Sequence, residues 1–208
     1  MVTVTHDPTQ LPANLPRPAD DGAADHLRGA SVPAIALPAT RGNALRIDRV
    51  PAGFDRLIVY AYPMTGLPGV ESPPGWEEIP GARGCTPESC GFRDHAADLA
   101  AAGATVMGLS TQSSGYQAEA ADRLRLPFPL LSDERLQLSQ ALGLPTFSIE
   151  VDRAHDGGGT KIVLKRLTLV IRDGRVEHVF YPVFPPDLHA SEVLAWVTAN
   201  PVGSGSQP

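Results

Sequence analysis

Residues 54–63 read FDRLIVYAYP, and every position from Leu57 to Tyr62 is apolar or aromatic. A strand with one wet face alternates apolar and polar side chains. A run without that alternation, rich in β-formers, belongs to a strand covered on both faces. The chain is therefore restricted to a sheet with other elements packed on each side. The segments that follow fit this. Residues 85–103 read as a helix, with Thr86 as N-cap, Pro87 and Glu88 suited to the first turn, and Gly103 at the end. Residues 104–110 read as a strand, 114–126 as a helix, 128–133 as holding a short strand, and 134–143 as another helix. A strand at 145–151 and a Gly-rich turn at 152–160 come next. Strands at 161–171 and 175–183 are joined by RDG, a hairpin signal, and 186–200 reads as an amphipathic closing helix. SVPAIALPA (31–39), bounded by prolines, reads as an edge strand. Alternating strands and helices predict an α/β fold, a three-layer α/β/α sandwich. Its central sheet is mixed, because the hairpin forces an antiparallel pair.

A length of 208 residues suggests one domain with tails. Residues 1–30 read as an irregular N-terminal arm, 31–200 as the domain, and 201–208 (PVGSGSQP) as a disordered tail. Between the first strong strand and the first helix lies an inserted loop, 64–84, holding five Gly and four Pro. It is too long for an ordinary connection, and such loops are usually functional or mobile. A formal net charge of -6 without a basic block argues against nucleic acid or an anionic membrane as partner. No stretch approaches the roughly 18 apolar residues of a membrane span. The first ten residues lack a basic and an apolar signal region, so a cytoplasmic location is expected. There thiols are held reduced, and a close cysteine pair is more often catalytic or metal-binding than structural.

The chain has two cysteines, Cys85 and Cys90, both in PGARGCTPESCGFRDH. A sulfur at a helix start meets free N–H groups and the positive end of the dipole, which favour a thiolate. On an intact helix, five residues rise about 7.5 Å, so the two Cα atoms lie about 8–9 Å apart. That exceeds the ~7 Å limit for a disulfide. Either the pair never bonds, or the first turns unwind when it does. Two cysteines can also serve as small apolar helix residues. A metal half-site is a further reading, although zinc takes four ligands and His95 is the one nearby histidine. The Cys-x-x-Cys of dithiol reductases is absent.

The segment resembles the active-site motif of peroxiredoxins (the alkyl hydroperoxide reductase/thiol-specific antioxidant family), in particular the peroxiredoxin Q or bacterioferritin comigratory protein branch. The matching residues are Gly84, Cys85, Thr86, Glu88, Cys90, Phe92, Arg93 and Asp94. LIVYAYP, TVMGLS, FPLLSD and LKRLTLVIRDGRV continue the likeness in order along the chain. The resemblance implies a thioredoxin-like fold and a thiol peroxidase. Cys85 would attack the peroxide and become a sulfenic acid. Cys90 would resolve it as an intramolecular disulfide, and thioredoxin or a similar dithiol would restore the pair. Arg166, one of two neighbouring cations in LKRLTLV, would stabilise the thiolate and the peroxide. No cofactor or metal is implied, and a monomer or weak dimer is expected. A redox sensor or thiol–disulfide exchange module on the same fold is an alternative, and a metal-binding protein of that fold a further one.

The chain departs from the family pattern at one place. Relatives carry Pro-x-x-x-Thr/Ser-x-x-Cys, but here the matching positions are Glu78 and Ala82. Pro63 and Thr65 stand together right after the strand, separated from Cys85 by the inserted loop. If the loop bulges out, Thr65 supplies the pocket hydroxyl and Pro63 the shield; otherwise the hydroxyl is lost. Trp76 in the loop is either a cover for the pocket or an anchor for the loop. Pro145, in GLPTF, is read as a helix terminator rather than as a counterpart of the thioredoxin proline.

Overall fold

The computed structural model describes residues 11–12 and 14–202. The first ten residues of the expected arm and the tail from 203 onward lie outside the described residues. In chain order the elements are β1 (Ala36–Leu37), β2 (Leu45–Arg46), β3 (Arg56–Ala61), α1 (Cys85–Asp94), α2 (Ala96–Ala101), β4 (Ala104–Ser110) and α3 (Ser114–Arg123). They continue as β5 (Leu130–Ser132), α4 (Gln137–Leu142), β6 (Thr146–Val151), β7 (Gly159–Leu164), β8 (Leu167–Arg172), β9 (Arg175–Phe180) and α5 (His189–Ala199). The central sheet has the order β5-β4-β3-β8-β9. Strand β3 pairs parallel with β4 and antiparallel with β8, so the sheet is mixed, as expected.

The unbroken apolar run of β3 lies at the sheet's centre and is buried throughout. Its alternate side chains feed two cores. Leu57, Val59 and Ala61 face a cluster completed by Leu138 and Leu142 of α4 and by Leu27, Leu37 and Ile47. Ile58, Tyr60 and Tyr62 face the other, closed by Phe92, Leu99, Ala121 and Val193 from α1, α2, α3 and α5. Gly108 of β4 is required here: a Cβ on it would stand 2.5 Å from a Leu130 methyl and 2.9 Å from the Tyr60 hydroxyl. Asp173 and Gly174, both with positive φ, make the two-residue turn between β8 and β9 that the RDG signal implied.

Several expected elements take different shapes. SVPAIALPA is not one edge strand. It bridges β9 through Ser31 and β5 through Ala39, with the two-residue β1 between them, because Pro33 and Pro38 interrupt continuous pairing. The arm is not detached from the domain: Leu27, in a single 3-10 turn, is fully buried in the first core. The expected helix 85–103 breaks at His95 into α1 and α2, and its N-cap is Gly84, not Thr86. Helix α4 is capped through Asp133, whose carboxylate accepts from the Leu138 and Ser139 N–H groups, and it ends on Gly143 ahead of Pro145. The expected strand 161–171 is two strands. β7 pairs with β6 in a separate hairpin, whereas β8 enters the central sheet, and Lys165 and Arg166 lie between them.

Candidate active site

The break between β7 and β8 places a cation beside the first helix. Lys165 gives its N–H to the Pro145 carbonyl at 2.8 Å, and Arg166 turns inward, nearly fully buried. Gly84, with φ 108°, opens α1, so Cys85 is the first helical residue. A Cβ on Gly84 would stand 2.3 Å from Pro186 Cγ. Only glycine combines that conformation with that contact. The Arg166 Nη2 lies 3.1 Å from Cys85 Sγ and also donates to the Ala82 and Arg83 carbonyls at 3.1 and 3.3 Å. Nη1 donates to Glu88 Oε2, an ion pair wholly inside the protein. One guanidinium thus serves a thiol, a carboxylate and the two carbonyls leading into the helix.

The charges compete. Burial pushes the Cys85 thiol up; Arg166 and a hydrogen bond from the Met64 N–H pull it down, and the Glu88 carboxylate adds to the upward push. In this closed arrangement the net direction is upward. Burial likewise raises Glu88, against the pull of Arg166. Burial alone would lower Arg166, but Cys85 and Glu88 more than offset it and keep it charged. Glu88 Oε1 and Arg166 Nε have no hydrogen-bond partner among the described residues.

Cys90 is half-buried on the same helix, and burial raises its thiol, with Arg93 opposing. Both cysteines are free thiols. Helix α1 is continuous through both positions, so the spacing that forbids a disulfide holds in this state.

Thr65 and Pro63 are placed otherwise than expected. Both are buried, but the Thr65 hydroxyl and N–H donate to Gln112 Oε1 at 3.2 and 2.8 Å, and the Pro63 carbonyl accepts from Ser110 at 2.9 Å. These bonds fasten the loop base to the end of β4. The opening over Cys85 is walled instead by Met64, Val70, Ser72, Trp76, Arg83 and Thr86 among others, and neither Thr65 nor Pro63 lines it. The hydroxyls at the opening are those of Ser72 and Thr86. Ser72 carries no sequence signal, lying among prolines in an aperiodic loop. Glu88 was legible only as a first-turn acid, not as the buried partner of Arg166. Trp76 both anchors the loop and walls the opening: only 5% exposed, it packs with Met64, Ala82, Ile149, Val151 and Val163, its ring 6.4 Å from that of Phe147, and it lines the space over Cys85. Among the described residues, no group of three or more His, Cys, Asp or Glu is arranged to hold a metal, and no helix is long and apolar enough to cross a membrane.

A thioredoxin-like sheet, a cysteine at the first position of a helix, and a buried guanidinium on its sulfur define a thiol-redox protein. Residues 27–195 match the Redoxin family model, and the chain belongs to that family, in its peroxiredoxin Q/bacterioferritin comigratory protein branch. It is 29% identical over 170 residues to Peroxiredoxin Bcp of Escherichia coli K12, covering 81% of this chain and 94% of the relative. It is 30% identical over 166 residues to a putative peroxiredoxin bcp of Coxiella burnetii, covering 80% and 95%. Among solved structures, peroxidoxin BcpB of Mycobacterium tuberculosis matches with a TM-score of 0.59 at 27% identity, over 83% of this chain and 96% of that one.

Proposed function

We propose that the protein is a thiol peroxidase in which Cys85 reduces a peroxide and Cys90 resolves the product. The observation that carries this is the 3.1 Å approach of Arg166 Nη2 to a sulfur at the first helical position. The Cys85 thiolate attacks one peroxide oxygen. An S–O bond forms as the O–O bond breaks, sulfur is oxidised, and the departing oxygen takes a proton and leaves as water or alcohol. Arg166 stabilises the thiolate before attack and the charge on the departing oxygen during it. The first turns of α1 then unwind, the Cys90 thiolate attacks the sulfenic sulfur, the S–O bond breaks as the disulfide forms, and the departing hydroxide takes the proton the Cys90 thiol released and leaves as water. A dithiol of thioredoxin type reduces that disulfide and is itself oxidised. Both sulfurs belong to one chain, so a monomer or weak dimer suffices, and the reducing cytoplasm is the fitting compartment.

The test is steady-state peroxide reduction with dithiothreitol and thioredoxin as donors. Turnover should vanish in Cys85→Ser. In Cys90→Ser a sulfenic acid should accumulate that a dimedone probe traps. Undiminished turnover by Cys85→Ser would sink the assignment. The alternative reading is a redox sensor that forms the same disulfide with little turnover. Counting dithiols oxidised per protein chain separates the two.

A further inference from the structure

We propose that the loop inserted before Cys85 restricts the substrate to hydrogen peroxide and turns bulkier organic hydroperoxides away. The inference rests on the peroxidase reading above.

The space over Cys85 amounts to ≈ 30 Å³. A single water needs about 10–15 Å³ of such space. The room close to Cys85 is therefore on the scale of a few water-sized atoms, as hydrogen peroxide is, and beyond it the opening continues to solvent. An alkyl or aryl hydroperoxide must place a carbon next to the oxygen that Cys85 does not attack. Val70, Pro73 and Trp76 are among the residues lining the way to Cys85, so a bulky carbon substituent has to pass them.

The wall is held from several sides. Trp76 is buried between the loop and the β6–β7 hairpin. Arg83 Nη1 donates to Glu77 at 2.9 Å and to Ser72 Oγ at 3.2 Å, and Ser72 donates to the same Glu77 oxygen at 3.3 Å. This triangle closes the loop across its own neck. Arg123 grips the Gly66 carbonyl at 3.1 Å, and Gln112 holds Thr65 from two directions. Widening the opening requires breaking a packed aromatic contact and a set of charge-assisted bonds together, so narrowness belongs to the resting state. The polar groups at the opening, Ser72, Thr86 and Arg83, suit a substrate that is polar at both ends. Hydrogen peroxide has a hydroxyl on each side; an organic hydroperoxide presents a carbon to one of them.

The experiment compares kcat/KM for hydrogen peroxide, tert-butyl hydroperoxide and cumene hydroperoxide with one donor. The unaltered protein should favour hydrogen peroxide over cumene hydroperoxide by about a hundredfold. Trp76→Ala should raise the organic-to-hydrogen-peroxide ratio by about tenfold or more, the scale on which pocket walls discriminate by size. Trp76→Leu and Val70→Ala, gentler changes in the same wall, should raise it less. The ratio is insensitive to the amount of folded protein. Leu99→Ala, a buried truncation in α2 away from the opening, should lower stability without moving it. An unaltered protein that prefers cumene hydroperoxide overturns the inference and leaves the peroxidase reading intact. So does a ratio that none of the wall variants shifts. Failure to reduce any of the three peroxides removes the peroxidase reading, and this inference with it.

Discussion

Glu88→Gln should make Cys85 more reactive toward small thiol reagents although it removes a buried ion pair. Nη1 of Arg166 serves Glu88 and Nη2 serves Cys85, so the carboxylate and the sulfur sit on one planar fork. That geometry holds them roughly 5–6 Å apart. Two unit charges at that distance repel by about 3 kcal/mol at an effective dielectric of ~20. Glu88 is itself pushed toward its neutral form by burial, so only part of this acts on the sulfur. A remainder of ~1.4 kcal/mol would be worth about a tenfold rise in the thiolate fraction at neutral pH. The sign is reinforced by charge balance. With Glu88 neutralised, Arg166 is an unpaired buried cation until Cys85 ionises. The measurement is ultraviolet thiolate absorbance and iodoacetamide alkylation against pH, both in a Cys90→Ser background, with urea denaturation confirming the fold. The titration midpoint should move down. A midpoint that stays or rises would mean that Glu88 carries no charge beside the sulfur, and the competition for Arg166 would be refuted.

Arg166→Lys keeps the charge but cannot replace contacts to Cys85, Glu88, Ala82 and Arg83 from one ammonium. Peroxide turnover should fall by about a hundredfold or more, measured at saturating donor. Gly84→Ala forces a residue with a Cβ into φ 108° and against Pro186. It should cost at least ~2 kcal/mol in urea unfolding and lower turnover as well. Away from the site, Glu177 is held below the ordinary range, first by its hydrogen bond from Arg56. A carboxylate with a depressed folded pKa stabilises above its unfolded value, about 4.3, and that stability is lost as pH falls through the folded one. Glu177→Gln should therefore lower Tm near neutral pH and converge on the unaltered protein in acid; equal Tm differences at both ends would contradict the pairing.

The fold was legible where local pattern and burial agree. The unalternating run of β3 announced a two-faced sheet, and RDG announced its turn. The split of 161–171 was not legible, because KIVLKRLTLVI holds no Gly, Pro, Asn or Asp to mark a break. What interrupts it is distant: the Pro145 carbonyl takes the Lys165 N–H, and the carbonyls before α1 take Arg166. At the site, the two cysteines and Arg166 stood out through resemblance to relatives. Thr65 drew attention because it lies beside Pro63 in sequence; its bond to Gln112, far along the chain, had no local signal. The inserted loop offered no period to read. Its order comes from packing on a hairpin that the chain makes only after many more residues, so no local signal announces it.

In the proposed cycle the same guanidinium that activates Cys85 also delays its resolution, and oxidation itself changes the balance. Arg166 ties the first turn of α1 together at both ends: to the Ala82 and Arg83 carbonyls before it and to Glu88 within it. While the sulfur is a thiolate, its charge adds a further tie, and hydrogen bonds to ionised groups are roughly twice as strong as neutral ones. Unwinding that turn, which Cys90 requires, would then strand a buried cation. Once Cys85 carries an oxygen as a neutral sulfenic acid, that charge-assisted tie is gone and Glu88 alone balances Arg166. The cost of unwinding therefore drops at the step that needs it, and the helix stays wound at the step that needs its dipole. In that cycle local unfolding would follow the charge on one sulfur rather than a flexible sequence around it.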